Sequence, residues 1–277
     1  MRILRVITVI MAVVVMIGGC VLYAKSSGKN DAPTIECTVN GTIMATTETT
    51  DEELLSYVKA HDKKDGDLTD KIKVVRKKLF LDEKEGSQLI TYSVCDSDNN
   101  VSSVVKKMIL SDYHSPRFSL SYDFIFPSGY TYDFKQYVEA SDMIDGDLTP
   151  FIKLISSEFS NTEGEYTVNL KVSNSMADTA QLNFKAIVTD EPWFDVKVRL
   201  KNYIAYVPVG QTVDYTAQIE RISYKNNDHK EYKTDDIKVD DSGVDYQTPG
   251  TYEAYYELID HDKTITKTRL LVIVTED

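Results

Sequence analysis

The sequence predicts an all-β chain of tandem β-sandwich modules, preceded by one N-terminal transmembrane or signal helix. Three observations carry this reading. A seventeen-residue stretch occurs twice at an offset of 80 residues, Tyr57–Lys73 and Tyr137–Lys153, with eleven positions identical. Apolar and polar residues alternate with period two through most of the remainder, the mark of half-buried antiparallel strands. Residues Val6 through Ala24 run nineteen positions without a charge, close to the roughly twenty apolar residues a helix needs to cross a bilayer.

The N-terminus comes first in chain order. Arg2 and Arg5 precede the apolar run, and Lys25-Ser26-Ser27-Gly28-Lys29-Asn30-Asp31 follows it as a polar linker. The segment 1–24 is therefore a transmembrane signal anchor or a lipoprotein signal, and 25–32 is a linker. In the lipoprotein reading, Ile17-Gly18-Gly19-Cys20 resembles a bacterial lipobox and Cys20 is the lipidation site, although Val21-Leu22-Tyr23-Ala24 carries the apolar run past it. Simple cleavage is the third reading. In each case the arginines keep the short end inside and place residues 25–277 outside the cell, attached to the cell membrane in the anchored forms.

The duplication sets the domain plan. A period of about 80 residues is too long for a solenoid unit and suits a small independent domain. Prolines and polar residues at Asp31-Ala32-Pro33, Ser111-Asp112-Tyr113-His114-Ser115-Pro116 and Asp190-Glu191-Pro192 mark the joints. The expected domains are 33–112, 113–190 and a divergent 191–277.

Within each, short strands are expected. Ile35, Cys37 and Val39 alternate with polar neighbours, as do Phe118, Leu120 and Tyr122. Ile90, Tyr92 and Val94 match Val168, Leu170 and Val172, and then Ala254, Tyr256 and Leu258. Each module closes on an apolar strand, ending at Leu110, Val188 and Val274. Several short strands in about 80 residues point to a sandwich. The third module lacks the Asp-Gly-Asp stretch but keeps the later half: Gly250-Thr251-Tyr252 aligns with Gly164-Glu165-Tyr166.

The line Asp-x-x-Asp-Gly-Asp-Leu-Thr-x-x-Ile, followed by a Gly-x-Tyr strand, an Asp or Asn turn and a closing apolar strand, resembles the bacterial immunoglobulin-like domain family first described in a pesticidal crystal protein. The first two modules match well and the third in its second half. The resemblance implies immunoglobulin-like sandwiches serving as stalk, spacer or adhesive module on an exported protein, and it brings no catalytic residues. Gly86-Ser87-Gln88 and Asn174-Ser175-Met176-Ala177 depart from the family pattern.

Charge and chemistry narrow the function classes. A formal net charge of −13 argues against nucleic-acid binding, which needs cations to displace counterions. Asp62, Asp65 and Asp67, with their copies Asp142, Asp145 and Asp147, are candidate calcium ligands. The competing reading is structural: carboxylates hydrogen-bonding turn amides around Gly66 and Gly146. No other cofactor is expected. Cys37 and Cys95 lie in the first module without counterparts in the second, and are read either as a disulfide or as two free thiols. The histidines His61, His114, His229 and His261 lack metalloprotease spacing, and no nucleophile elbow or phosphate loop occurs. Eighteen tyrosines fit sandwich cores and edges, and Trp193 is expected to pack at a joint.

The expectation is a non-enzymatic, membrane-attached surface protein that adheres to, or binds, an unknown protein or polysaccharide. The third domain and its 222–235 loop are the expected binding unit. A structural stalk or accessory subunit of an envelope complex is the first alternative, and an extracellular hydrolase the second.

Overall fold

The computed structural model describes residues 32–77, 86–157, 160–190, 195–225, 231–260 and 263–276. The expected N-terminal helix with Cys20, as well as Trp193, lies outside them. Among the described residues no helix is long and apolar enough to cross a membrane. The chain is all-β, and it divides into two compact units, residues 1–111 and 112–277.

The first unit contains β1 (Thr34–Cys37), β2 (Ile43–Ala45), the one-turn helix α1 (Asp51–Leu55), β3 (Val58–Asp62), β4 (Gly66–Asp67), β5 (Lys73–Lys77), β6 (Ser87–Cys95) and β7 (Val101–Leu110). One sheet has the order β1-β3-β4 and the other β2-β7-β6-β5. β2 runs parallel to β7, whereas β6 and β7 form an antiparallel hairpin. α1 begins at Thr50, whose hydroxyl accepts the Glu53 amide while the Glu53 carboxylate accepts the Thr50 amide, a reciprocal cap. This turn places Leu54 in the core with no exposed surface, and its carbonyl accepts the Tyr92 hydroxyl at 3.0 Å. Burial pushes the Tyr92 phenol up to about 12. The alternation expected at Ile90, Tyr92 and Val94 buries all three.

The second unit contains β8 (Arg117–Leu120), β9 (Ile125–Pro127), β10 (Val138–Asp142), β11 (Gly146–Asp147), β12 (Lys153–Ser157), β13 (Gly164–Ser173), β14 (Thr179–Thr189), β15 (Val196–Leu200), β16 (Ile204–Pro208), the one-turn helix α2 (Tyr215–Gln218), β17 (Ile219–Tyr224), β18 (Ile237–Asp240), β19 (Gly250–Asp260) and β20 (Lys263–Thr275). The sheet orders are β11-β10-β8, β12-β13-β14-β9, β15-β17 and β16-β20-β19-β18.

The four-stranded sheets of the three segments share one plan. Each has an early short strand lying parallel to the closing strand, as β2 does on β7, β9 on β14 and β16 on β20. The closing strand then pairs with its hairpin partner, and that strand with an edge strand. The third segment thus repeats this arrangement where its early sequence has lost the repeat pattern. Among the described residues its companion sheet has two strands and no counterpart of β4 and β11, in keeping with the missing Asp-Gly turn that folds those two-residue strands back.

The third segment does not stand apart from the second. One continuous buried cluster runs from Phe118, Leu120, Phe124 and Leu182 to Val198, Tyr256 and Val272. The Tyr203 amide donates to the Leu120 carbonyl at 3.0 Å. The Leu120 amide donates to Asn202 Oδ1 at 3.0 Å, and the Phe118 amide to the Tyr206 hydroxyl at 2.8 Å.

Cys37 and Cys95 are both free thiols, which corrects the disulfide reading. Cys37 ends β1 opposite Val58, while Cys95 ends β6 in the other sheet, opposite Val101. Strand alternation turns Cys95 to solvent, three positions beyond the inward-facing Tyr92, so the two Cβ vectors cannot meet.

Candidate functional site

The repeated aspartate turn is built the same way twice. Asp62 Oδ1 accepts the amides of Lys64 and Asp65 at 2.8 and 2.9 Å, and Asp142 Oδ1 accepts those of Ile144 and Asp145 at 2.8 and 3.0 Å. Gly66 and Gly146 follow at φ +76° and +73°, the left-handed region where a Cβ is disfavoured. Asp67 and Asp147 each accept the amide of the threonine two residues on, at 2.9 Å. Those threonine hydroxyls in turn accept the amides of Ala60 and Ala140 at 3.1 Å.

The turn also reaches the neighbouring hairpin. The Asp65 carboxylate accepts the Ser97 amide at 2.7 Å and its hydroxyl at 2.8 Å. Asp145 holds Ser175 through the same two groups. These donors hold the Asp65, Asp67 and Asp147 carboxyls below the ordinary 3.8. The backbone bond from Ser97 is the largest cause at Asp65, and the threonine hydroxyl the largest at the other two. Leu68 and Leu148, just after each turn, are buried.

The structure therefore places all six predicted aspartates in the turns, with each carboxylate aimed at a different set of donors. The three of each turn do not converge on one point. Among the described residues, no three His, Cys, Asp or Glu side chains are grouped to hold a metal.

The two copies differ at one buried contact. In the second, Asn174 Oδ1 accepts the Met176 and Asp178 amides at 3.0 and 2.9 Å. Its Nδ2 donates to Asp142 Oδ2 at 3.1 Å and to the Tyr113 hydroxyl at 2.9 Å. In the first, Asp96 takes the same place: its Oδ1 accepts the Asp98 and Asn100 amides at 2.9 and 2.8 Å. A carboxylate has no hydrogen to offer. Accordingly Asp62 Oδ2, on a residue 2% exposed, has no partner among the described residues.

A second polar group escaped sequence reasoning altogether. Lys197 Nζ donates to Asp123 Oδ2 at 2.7 Å with both side chains withdrawn from solvent, and to the Lys267 carbonyl at 3.3 Å. Arg269, 1% exposed, donates from Nη2 to the Asp123 carbonyl and from Nη1 to Glu253 Oε1, both at 2.9 Å. These residues are scattered over 146 positions and form no motif. Lys197 sits in a Val-Lys-Val-Arg-Leu strand where alternation predicts an outward lysine. No local signal marks it as buried.

Of the histidines, His61 and His114 are described, and His229 and His261 lie outside the described residues. The expected binding loop is described at 222–225 and 231–235, and its tip at 226–230 lies outside. The arrangement as a whole holds turns and sheets together.

An all-β chain of three similarly wound sheets is the class that the geometry defines. No protein-family model matches it. It is similar to the pesticidal crystal protein Cry22Aa of Bacillus thuringiensis, at 28% identity over 209 residues, covering 73% of this chain and 27% of that protein's length. Solved structures with partial likeness include the M60 catalytic domain with two CBM51 domains from Clostridium perfringens ZmpB, at 13% identity, 60% of this chain, 32% of that one and a TM-score of 0.23. Another is the lipoprotein BT2262 of Bacteroides thetaiotaomicron, at 10% identity, 86% and 98% coverage and a TM-score of 0.21. A third is the extracellular domain of protocadherin γB4, at 12% identity, 89% and 52% coverage and a TM-score of 0.22. Scores of this size carry no argument about fold or function.

Proposed function

We propose that this chain is a non-enzymatic protein of tandem immunoglobulin-like modules, attached to the bacterial cell membrane by its N-terminal segment and exposed outside, where it adheres to or binds a protein or polysaccharide. The observation that carries the reading is the thrice-repeated sheet plan, with a stapled turn in its first two copies. It is a construction suited to holding a surface in place. The third module is the proposed binding unit, because it has dropped the turn that the other two keep.

The test uses the purified full chain in detergent against cell-wall fractions, glycans and matrix proteins. Saturable binding lost on deletion of residues 222–235 supports the reading in full. Binding that survives the deletion moves the site elsewhere. A folded protein that binds nothing favours the structural stalk, and a hydrolytic activity abolished by one point substitution overturns the proposal.

In this reading the aspartate turns are staples rather than calcium sites. Thermal unfolding in millimolar calcium and in chelator is expected to coincide, and a rise in midpoint with calcium would return Asp62, Asp65, Asp67 and their copies to the role of ligands.

A further inference from the structure

β12 is the edge strand of its sheet and pairs with β13 alone among the described residues. Such an edge presents a row of open amides and carbonyls. Around it the second unit concentrates exposed apolar side chains: Phe151 at 62%, Leu154 at 40% and Ile155 at 57%. Beside it opens a cavity of about 170 Å³. The buried Val138 and Leu170, the half-buried Ile152 and the exposed Leu154, Pro150 and Lys135 line it.

The opposite face of the same strand is cationic. Lys153 lies directly across from Lys171 in the ladder, a like-charge placement that costs stability. Among the described residues neither lysine forms an ion pair, and neither does Lys135. In a chain with 44 acidic and 31 basic residues, these lysines stand without a carboxylate partner among the described residues. The register shift between Leu154 and Ser156 puts Ile155 outside the ladder. That breaks the edge after a short stretch and discourages indefinite sheet extension.

We propose that β12 is a docking edge for a short extended acidic peptide of a protein partner. A strand added there alternates its side chains between two faces. Apolar residues of the peptide enter the cavity beside Leu154, and the carboxylates between them face Lys153 and Lys171. Main-chain bonds supply affinity, and the cavity and lysines supply selection. This edge is independent of any ligand site in the third module.

The test uses the full chain and a fluorescein-labelled pentapeptide of alternating glutamate and valine, with a lysine–valine peptide as control. The glutamate peptide is expected to bind saturably and the lysine peptide to bind at least about tenfold more weakly, since two exposed charge pairs are at stake. Hydrogen exchange is expected to slow in residues 153–157 when the glutamate peptide is added. Lys153→Glu with Lys171→Glu is expected to reverse the preference, which a merely misfolded variant would not do. The proposal is overturned by equal binding of the two peptides, by no binding, or by binding without protection of β12. It is also overturned if that strand becomes protected with rising protein concentration and no peptide, because the occupant is then a second copy of the chain.

Discussion

Lys197 and Asp123 form an ion pair of 2.7 Å in which the lysine side chain is 5% exposed and the aspartate not exposed at all. The two residues come from segments that the sequence divides at Asp190-Glu191-Pro192, and their pairing closes the seam between β8–β14 and β15–β20. Taking two charges out of water is costly, and the contact is tolerated because its remaining hydrogen-bonding capacity is used. The Ile125 amide donates to Asp123 Oδ1 at 3.3 Å, and Lys197 reaches the Lys267 carbonyl.

Removing one partner leaves the other charged and buried. Lys197→Met is expected to destabilise the second unit by about 3–5 kcal/mol, and Lys197→Met with Asp123→Leu to recover most of it. Urea unfolding of the single and double variants measures both. A single variant within about 1 kcal/mol of wild type would show the pair to be solvated.

Gly66 and Gly146 both need positive φ and both have open space where a Cβ would go. Alanine at either is therefore expected to cost about 1–2 kcal/mol from backbone conformation with no steric clash. Asparagine, which tolerates this conformation, is expected to cost less. Equal losses for alanine and asparagine in thermal denaturation would point to some other cause.

The difference between Asp96 and Asn174 predicts opposite effects for reciprocal changes. Asp96→Asn gives the first unit an amide hydrogen for Asp62 Oδ2 and removes a neighbouring negative charge. The half-buried Asn100 loses an acceptor in exchange. A net gain of about 1 kcal/mol is expected. Asn174→Asp deprives Asp142 Oδ2 of its donor and is expected to cost about 1–3 kcal/mol. The two midpoints moving in the same direction would refute the equivalence of the two sites.

Acid stability follows from the depressed carboxyls. Asp65, Asp67 and Asp147 hold their protons less tightly folded than at the ordinary 3.8. Their contribution is fully present above that value and is lost as pH falls through the lower folded values. Stability is expected to be flat in this respect from pH 5 upward and to fall below about pH 4. Asp67→Asn and Asp147→Asn are expected to flatten the acid limb, as chemical denaturation at stepped pH would show.

Much of the architecture was legible because strand alternation is a local property. Ile90, Tyr92 and Val94 and their counterparts at 168–172 and 254–258 are buried where period two puts them. The aspartate turns could be located, since an Asp-Gly-Asp stretch can satisfy its own amides within a few residues. What those carboxylates do was left between two chemistries, because their partners Ser97 and Ser175 lie 32 and 30 residues away.

The sequence by itself determined the repeat, the buried faces of the hairpin strands and the turn glycines Gly66 and Gly146, all of which depend on neighbours along the chain. Tertiary structure decided that the second and third segments share one buried cluster, that Lys197 turns inward to Asp123, that Cys37 and Cys95 stay apart, and that one Asp62 oxygen has no partner among the described residues. Each of these depends on which distant groups meet once water is excluded, and a pattern of residues along a strand carries no record of what lies across the sheet.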